Sequence, residues 1–448
     1  MNPGIMARLL AGGFSPVAGD QKAELFGRAG DALRGLNAQA EENRIHCFVP
    51  GRVELLGKHT DYAGGRSLLC AVERGICAVA VPRNDAVVRM ADAGRNQLCE
   101  FLLSPELDPR ADHWPIYPGT VARRLARNFS GPLRGMDAAF ASDLPRASGM
   151  SSSSALLTCT YLLLEECNDL SRRPELEASI RTPEEKAAYL ACIENGQTFG
   201  ILAGDAGVGT FGGSEDHTAI LCSRPGVLRQ YAFCPTRLEA EAPLRSEYAI
   251  LIAVSGVAAD KSGAAREQYN RASRAAGEIL KLWQEATGRA DASLFAAAAS
   301  AEDAPARIRQ LLNSRPSASY SAKALRDRFD QFFEESMCIV PDATRAMQAN
   351  HMEAFGRCVD RSQALAEEKL GNQIPQTIEL AHSARELRAF AASAFGAGFG
   401  GSVWAMTRAH NAMELLNRWR ESYCRKFSVE GQASSFFRSG AGPAAFLF

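Results

Sequence analysis

Short blocks of apolar residues in the first third of the chain predict strands at His46–Val49, Ser67–Val72, Ile76–Val81 and Val87–Met90, divided by Gly, Pro and Asn-Asp turns. Ahead of them, Leu25, Phe26, Ala29, Leu33 and Leu36 share one helical face, and Asp20 stands where a cap is expected. The pattern then predicts a helix from Gly119 to Phe129, a strand at Met136–Ser142, and helices at Ser152–Cys167 and Pro183–Thr198. Asp216-His217 reads as the beginning of a further strand that ends near Cys222, and Pro225–Pro243 as a boundary between domains at 1–235 and 245–448. Tyr248–Val254 is a buried strand by pattern, followed by long alanine-rich helices and a glycine-rich turn and strand near 396–406. The mixture of strands and helices is α+β, without internal repeats.

Composition narrows the function classes. A formal net charge of −1 gives no electrostatic case for nucleic acid or an anionic membrane as the main partner. No apolar run reaches the roughly 20 residues that cross a bilayer, and Met1–Phe14 holds one Arg and too short an apolar stretch for a secretion signal. Of the 12 cysteines no two have C-x-x-C spacing, and most sit among apolar residues. They read as reduced structural thiols, so the expected compartment is the cytoplasm. A monomer or weak homodimer is the expected state.

Four segments carry chemistry. Residues 50–62, Pro-Gly-Arg-Val-Glu-Leu-Leu-Gly-Lys-His-Thr-Asp-Tyr, place Arg52, Lys58, His59 and Asp61 on a backbone punctuated by Gly51 and Gly57, a density of polar groups that points to binding. Residues 143–155, Asp-Leu-Pro-Arg-Ala-Ser-Gly-Met-Ser-Ser-Ser-Ser-Ala, follow a strand and open an apolar helix. Backbone N–H groups converging at such a helix start favour phosphate, although a serine-rich N-cap alone would look the same. Phe395-Gly-Ala-Gly-Phe-Gly-Gly-Ser-Val-Trp404 lets a backbone approach another segment closely. Acidic candidates follow at Glu194, Asp205 and Asp216, of which Asp205, flanked by Gly204 and Gly207, is preferred over Asp216 as the exposable carboxylate. Gly57-Lys58 is no P-loop, since Gly51 lies one residue too far back and His59 replaces the required Ser or Thr.

Together these segments resemble the three motifs of the galactose/homoserine/mevalonate/phosphomevalonate (GHMP) kinases, and the first resembles the sugar signature of the galactokinases among them. The resemblance runs from about Cys47 to the Ser-Phe-Phe-Arg-Ser-Gly-Ala-Gly tail and includes Trp114-Pro-Ile-Tyr-Pro-Gly119. It departs at Lys58, where the family has Glu; at Glu54, where Asn is usual; at Ala147-Ser148, for Gly-Ala; at Ser402, for Cys; and around Leu365–Thr377. It implies a two-domain fold, a ribosomal-protein-S5-domain-2-like N-terminal half and a ferredoxin-like C-terminal half, with the active site between them. It implies ATP and Mg²⁺ as cofactors, with ATP held by Ser148, Gly149, Met150, Ser151, Ser152, Ser153 and Ser154, and the metal by Ser153 and Glu194. Asp205 would be the catalytic base, kept ionised by an adjacent Arg52. The sugar would be met by Lys58, His59, Asp61, Gly204 and Tyr269.

The implied activity is ATP-dependent phosphorylation of a monosaccharide, galactose first. The exchange at Lys58 leaves open a different acceptor, such as a hexuronate whose carboxylate the lysine would meet. It equally leaves open an ion pair of Lys58 with Glu54, or a lysine turned to solvent. A galactokinase-like sensor that binds without turnover is the third possibility. The retained set Arg52, Ser151–Ser153, Glu194 and Asp205 argues against it.

Overall fold

The computed structural model describes residues 3–36, 44–109, 113–259 and 263–448. Its strands are β1 (Ile45–Leu56), β2 (Arg66–Pro82), β3 (Val87–Asp92), β4 (Gln97–Leu102), β5 (Met136–Ser142), β6 (Val227–Ala232), β7 (Arg237–Pro243), β8 (Tyr248–Val254), β9 (Ala391–Phe395), β10 (Ser402–Arg408), β11 (Ser435–Ser439) and β12 (Phe446–Leu447). They form two sheets. The first runs β12-β1-β2-β5-β3-β4, with the β6–β7 hairpin added along β2. The second is antiparallel in the order β11-β8-β10-β9.

Two strands are longer than their hydrophobic blocks suggest. β1 continues through Pro50 and Gly51 by a shift of register between Pro50 and Arg52, and β2 joins both blocks at 67–72 and 76–81. The bulge re-aims the strand just before the polar signature, as bulges beside functional sites do. Pro225–Pro243, expected as a boundary, holds the β6–β7 hairpin, and β12 returns to the first sheet from the far side of the second. The helix cap expected at Asp20 is Ser15, whose hydroxyl accepts from the Ala18 N–H; Asp20 lies inside the helix Pro16–Gly35.

The largest core lies between the first sheet and the helices Ile116–Asn128, Ser152–Cys167 and Pro183–Asn195, with Leu157, Tyr161, Leu163 and Tyr189 fully buried. A separate helical cluster, centred on Trp283, Ile279, Phe329 and Phe332, packs on the short helix Asp61–Ala63. From it, the helix Ala322–Glu334 pins the sugar signature by its backbone. Arg328 Nη2 donates to the His59 carbonyl (2.5 Å), and Gln331 Nε2 to that of Lys58 (3.1 Å). Satisfying carbonyls that are buried away from water holds His59 in its left-handed conformation (φ 58°). Among the described residues no helix is long and apolar enough to cross a membrane.

Candidate active site

A small cleft opens where the signature, the helix Glu215–Cys222 and the glycine turn after β9 converge. Arg52, His59, Asp61 and Tyr269 all line it, as expected, and so does Glu194. His59 Nε2 faces the Ala397 carbonyl at 3.0 Å and therefore carries the proton. Its Nδ1, 3.0 Å from the Tyr62 hydroxyl, is the acceptor in the neutral ring. The Tyr269 ring lies 5.2 Å from the imidazole. Burial pushes the Tyr269 hydroxyl well above its ordinary range, helped by the charges of Asp61 and Asp216, so it stays a neutral hydrogen-bonding group. Asp61 Oδ2 accepts from the Glu215 N–H at 3.2 Å, and burial raises the carboxyl against that stabilisation.

The expected contact between Arg52 and Asp205 is not formed. Arg52 Nε donates to Asp216 Oδ1 at 2.8 Å, Nη2 lies 2.6 Å from the same oxygen, and Nη1 donates to the Gly149 carbonyl. Burial works against the guanidinium charge, but Asp216 and Glu215 more than restore it, so Arg52 stays protonated. Asp205 instead accepts from Arg123 (2.5 and 3.2 Å), with Arg127 3.1 Å away, and does not line the cleft. Its neighbour Gly204 stays with it, its N–H donating to Thr198 Oγ1 at 2.9 Å. Burial raises the Asp205 carboxyl, but the hydrogen bonds from Arg123 prevail and hold it below the usual range. The segment beginning at Asp216 is also a helix, Glu215–Cys222, not a strand. Two carboxylates in its first turn suit the positive end of the helix, and the helix aims Asp216 into the cleft.

The loop before the helix Ser152–Cys167 turns through three left-handed residues, two of them not glycine. These are Ala147 (φ 45°), Gly149 (φ 76°) and Ser151 (φ 58°), which fold the loop around the start of the helix. Ser151 Oγ is buried without a hydrogen-bond partner, as a hydroxyl reserved for a ligand would be. The loop rests on backbone. Arg52 N donates to the Met150 carbonyl, and a Cβ on Gly51 would fall 2.7 Å from that oxygen. On the other side the glycine turn approaches so closely that a Cβ on Gly396 would sit 2.8 Å from the Gly149 carbonyl. Ser402 Oγ donates to the Ser148 carbonyl at 2.6 Å, so serine serves where the family has cysteine. Ser148 Oγ donates to the Pro145 carbonyl at 2.8 Å and stabilises the loop from within; Met150 is buried. Ser152 and Ser153 are half-buried at the helix start.

The hydroxyl brought to Glu194 is that of Ser154, not Ser153. Ser154 Oγ lies 2.9 Å from Glu194 Oε2 and 3.3 Å from Asp216 Oδ2. His217 Nε2 reaches the same Glu194 oxygen at 2.8 Å and is oriented by Thr158. The Ser154 hydroxyl and the Glu194 carboxylate are oxygen donors of the hard kind that Mg²⁺ prefers.

Lys58 is neither turned to solvent nor in contact with Glu54, on which it acts only as a nearby charge, and it does not line the cleft. Its ammonium is buried beneath the signature, donating to Ser362 Oγ (3.0 Å) and Ser393 Oγ (2.8 Å), and makes no ion pair with Glu54. Ser362 in turn donates to Glu335 Oε1, which also accepts the Gly57 N–H, both at 2.8 Å. The lysine thus ties the signature to the helices behind it, and the argument for an acidic sugar loses its cation. Glu215 is the member of the site that motif reading misses; that reading sets Asp216 below Asp205, expects Ser154 at ATP and not at Glu194, and notes Glu54 only as a departure from the family. The signal for Asp216 is the Asp-His pair.

Comparison with known proteins agrees with this geometry. The galactokinase galactose-binding signature matches residues 37–82, the GHMP kinase N-terminal domain 117–202 and the GHMP kinase C-terminal domain 343–425. The chain belongs to the GHMP kinases. Within that family it carries the signature of the galactokinase branch. A galactokinase of Roseiflexus sp. is 28% identical over 84% of this chain and 88% of its own length, and one of Enterococcus faecalis is 25% identical over 92% and 94%. The structure of Lactococcus lactis galactokinase complexed with galactose superposes with a TM-score of 0.77 at 20% identity, covering 93% of this chain and 98% of that one. Methanococcus jannaschii mevalonate kinase follows at 0.52 and 14%, over 90% of this chain and 99% of its own. These likenesses establish the shared two-domain fold.

Proposed function

We propose that this protein is an ATP-dependent sugar kinase that phosphorylates galactose, with Asp216 as the catalytic base. The observation that carries the reading is the Arg52–Asp216 pair at the junction of the sugar signature and the phosphate loop. Phosphoryl transfer demands positioning and charge neutralisation more than covalent chemistry, and the parts match that demand. His59, Asp61 and Tyr269 orient the sugar in the cleft; the left-handed loop 147–151 and the Ser151 hydroxyl receive the triphosphate. Asp216 takes the proton of the attacking hydroxyl as the new sugar O–P bond forms and the P–O bond to ADP breaks. Arg52 orients the Asp216 carboxyl through its hydrogen bonds and presents its own charge to the transferring phosphoryl group. Ser154 and Glu194 would hold Mg²⁺, which neutralises phosphate charge when bound.

A coupled ADP-release assay with galactose, galacturonate, N-acetylgalactosamine, arabinose and mevalonate tests the reading. Galactose-dependent ADP release is expected. Sugar and ATP binding without turnover of any acceptor would make the protein a sensor and overturn it.

A further inference from the structure

Position 54 lies on β1 at the floor of the cleft, two residues after Arg52, and holds a glutamate. The side chain is 3% exposed. Glu54 Oε2 accepts the Gly396 N–H at 3.3 Å, Oε1 receives no N–H or O–H from a described donor, and the Glu215 carboxyl lies close enough to share a proton with the group. A buried carboxylate oxygen is costly without a donor, and buried polar atoms are nearly always satisfied. Here the neighbouring cations do not donate to it. Arg52 is committed to Asp216 and to the Gly149 carbonyl, Lys58 to Ser362 and Ser393, and Glu215 adds a second buried carboxyl that accepts from Ser67 Oγ at 2.8 Å. Asp61 lies in the same wall. The cleft therefore offers acceptors to a ligand rich in O–H donors. Its arginine is already paired, and its lysine points away.

We infer that Glu54 is a sugar-binding residue and the determinant of acceptor class: its Oε1 receives a hydroxyl of an uncharged sugar, and with Asp61 and Glu215 it refuses sugars bearing a carboxylate. The inference deepens the kinase reading and rests on it for the identity of the cleft as the sugar site. Burial, opposed by Lys58 and Arg52, brings the Glu54 carboxyl up to about 7, so near neutrality it both accepts and donates, which suits a hydroxyl partner in either orientation. A glutamate at this place is also compatible with the lysine at 58. The acid has moved to the cleft wall and the cation has withdrawn behind it.

Calorimetric binding of galactose, galacturonate and the four monodeoxygalactoses (2-, 3-, 4- and 6-deoxy) to the full-length wild type and to Glu54→Gln tests this, alongside ADP release. Glu54→Gln is expected to weaken galactose binding about tenfold, leave the KM for ATP unchanged, and narrow the preference for galactose over galacturonate. One deoxy sugar should lose about as much on the wild type as Glu54→Gln loses on galactose, and lose nothing further on the variant. Unaltered galactose affinity in a variant with unaltered thermal midpoint, or deoxy losses identical in both proteins, would overturn the inference. Galactose binding that depends on Glu54 in a protein without turnover would uphold it and overturn the kinase reading. A wild type that binds none of these sugars would overturn both.

Discussion

Asp205 and Asp216 are each held by arginine at hydrogen-bonding distance, yet one pair ties loops together and the other lines the cleft. Asp205 joins Arg123 and Arg127 of the helix Ile116–Asn128 to the loop after Glu194, and both arginines also donate to carbonyls at Leu107 and Pro105. Every group there is already used in holding loops together. Asp216 shares its arginine with the phosphate loop and faces a cleft with the sugar signature on its other wall. Strong pairing with arginine therefore does not identify a base. What separates the two is whether a reacting atom has room to arrive.

Four substitutions probe that comparison. Asp216→Asn keeps the shape and removes the base, and turnover is expected to fall about a thousandfold with galactose affinity nearly unchanged. A fall of less than tenfold would return the role to another carboxylate. Arg52→Ala should cost about a hundredfold in kcat, since both the orientation of Asp216 and a positive charge at the phosphoryl group are lost. Normal kcat would show the guanidinium to be structural. Lys58→Glu puts a carboxylate beside buried Glu335 and should lower stability by about 3 kcal/mol, seen in chemical denaturation, without improving galactose turnover. Improved turnover would mean that position 58 faces the sugar after all.

Asp205→Asn has the smallest expected effect, turnover within about twofold of wild type. Its signature is in the pH dependence of stability. Because the folded-state carboxyl lies below its ordinary value, its ionised form stabilises the fold above the usual carboxylate range, and that contribution is lost as pH falls. The variant should therefore lose less stability on acidification than the wild type in a series of urea melts. Parallel loss in both proteins would show that Arg123 and Arg127 do not depend on the charge.

Much of the site was legible because its chemistry is local in sequence. Arg52, His59 and Asp61 come from one run and line the cleft, whereas the loop 147–151 comes from another and meets that wall through Arg52, which donates to the Gly149 carbonyl. The choice between Asp205 and Asp216 was not local. The glycines around Asp205 looked like freedom for an exposed turn, but they serve close packing: a Cβ on Gly207 would stand 2.4 Å from the Glu194 carbonyl. Gly213, by contrast, brings the next helix against Asp61, where a Cβ would fall 2.6 Å from Oδ2. Glycine spacing records a close approach without naming the partner. The same holds for the phosphate loop, where the register of the serines favoured Ser153 and the turn of the helix presents Ser154. Lys58 shows the limit plainly. A flexible side chain with three donors takes its direction from Ser362 and Ser393, which lie hundreds of residues later.

The two residues of β12 have a consequence for biogenesis. Phe446 and Leu447 pair with Phe48 and Cys47, and Phe446 and Phe448 pack on Phe48, His46 and Phe26. During synthesis, β1 and the helix Pro16–Gly35 emerge first, but that edge of the sheet waits for nearly the whole chain before its last partner exists. Until then it is an open edge with aromatic side chains beside it, the kind of surface that recruits neighbours or chaperones. This edge of the sheet is therefore closed only after about 400 further residues have been made, counted from Phe48 to Phe446.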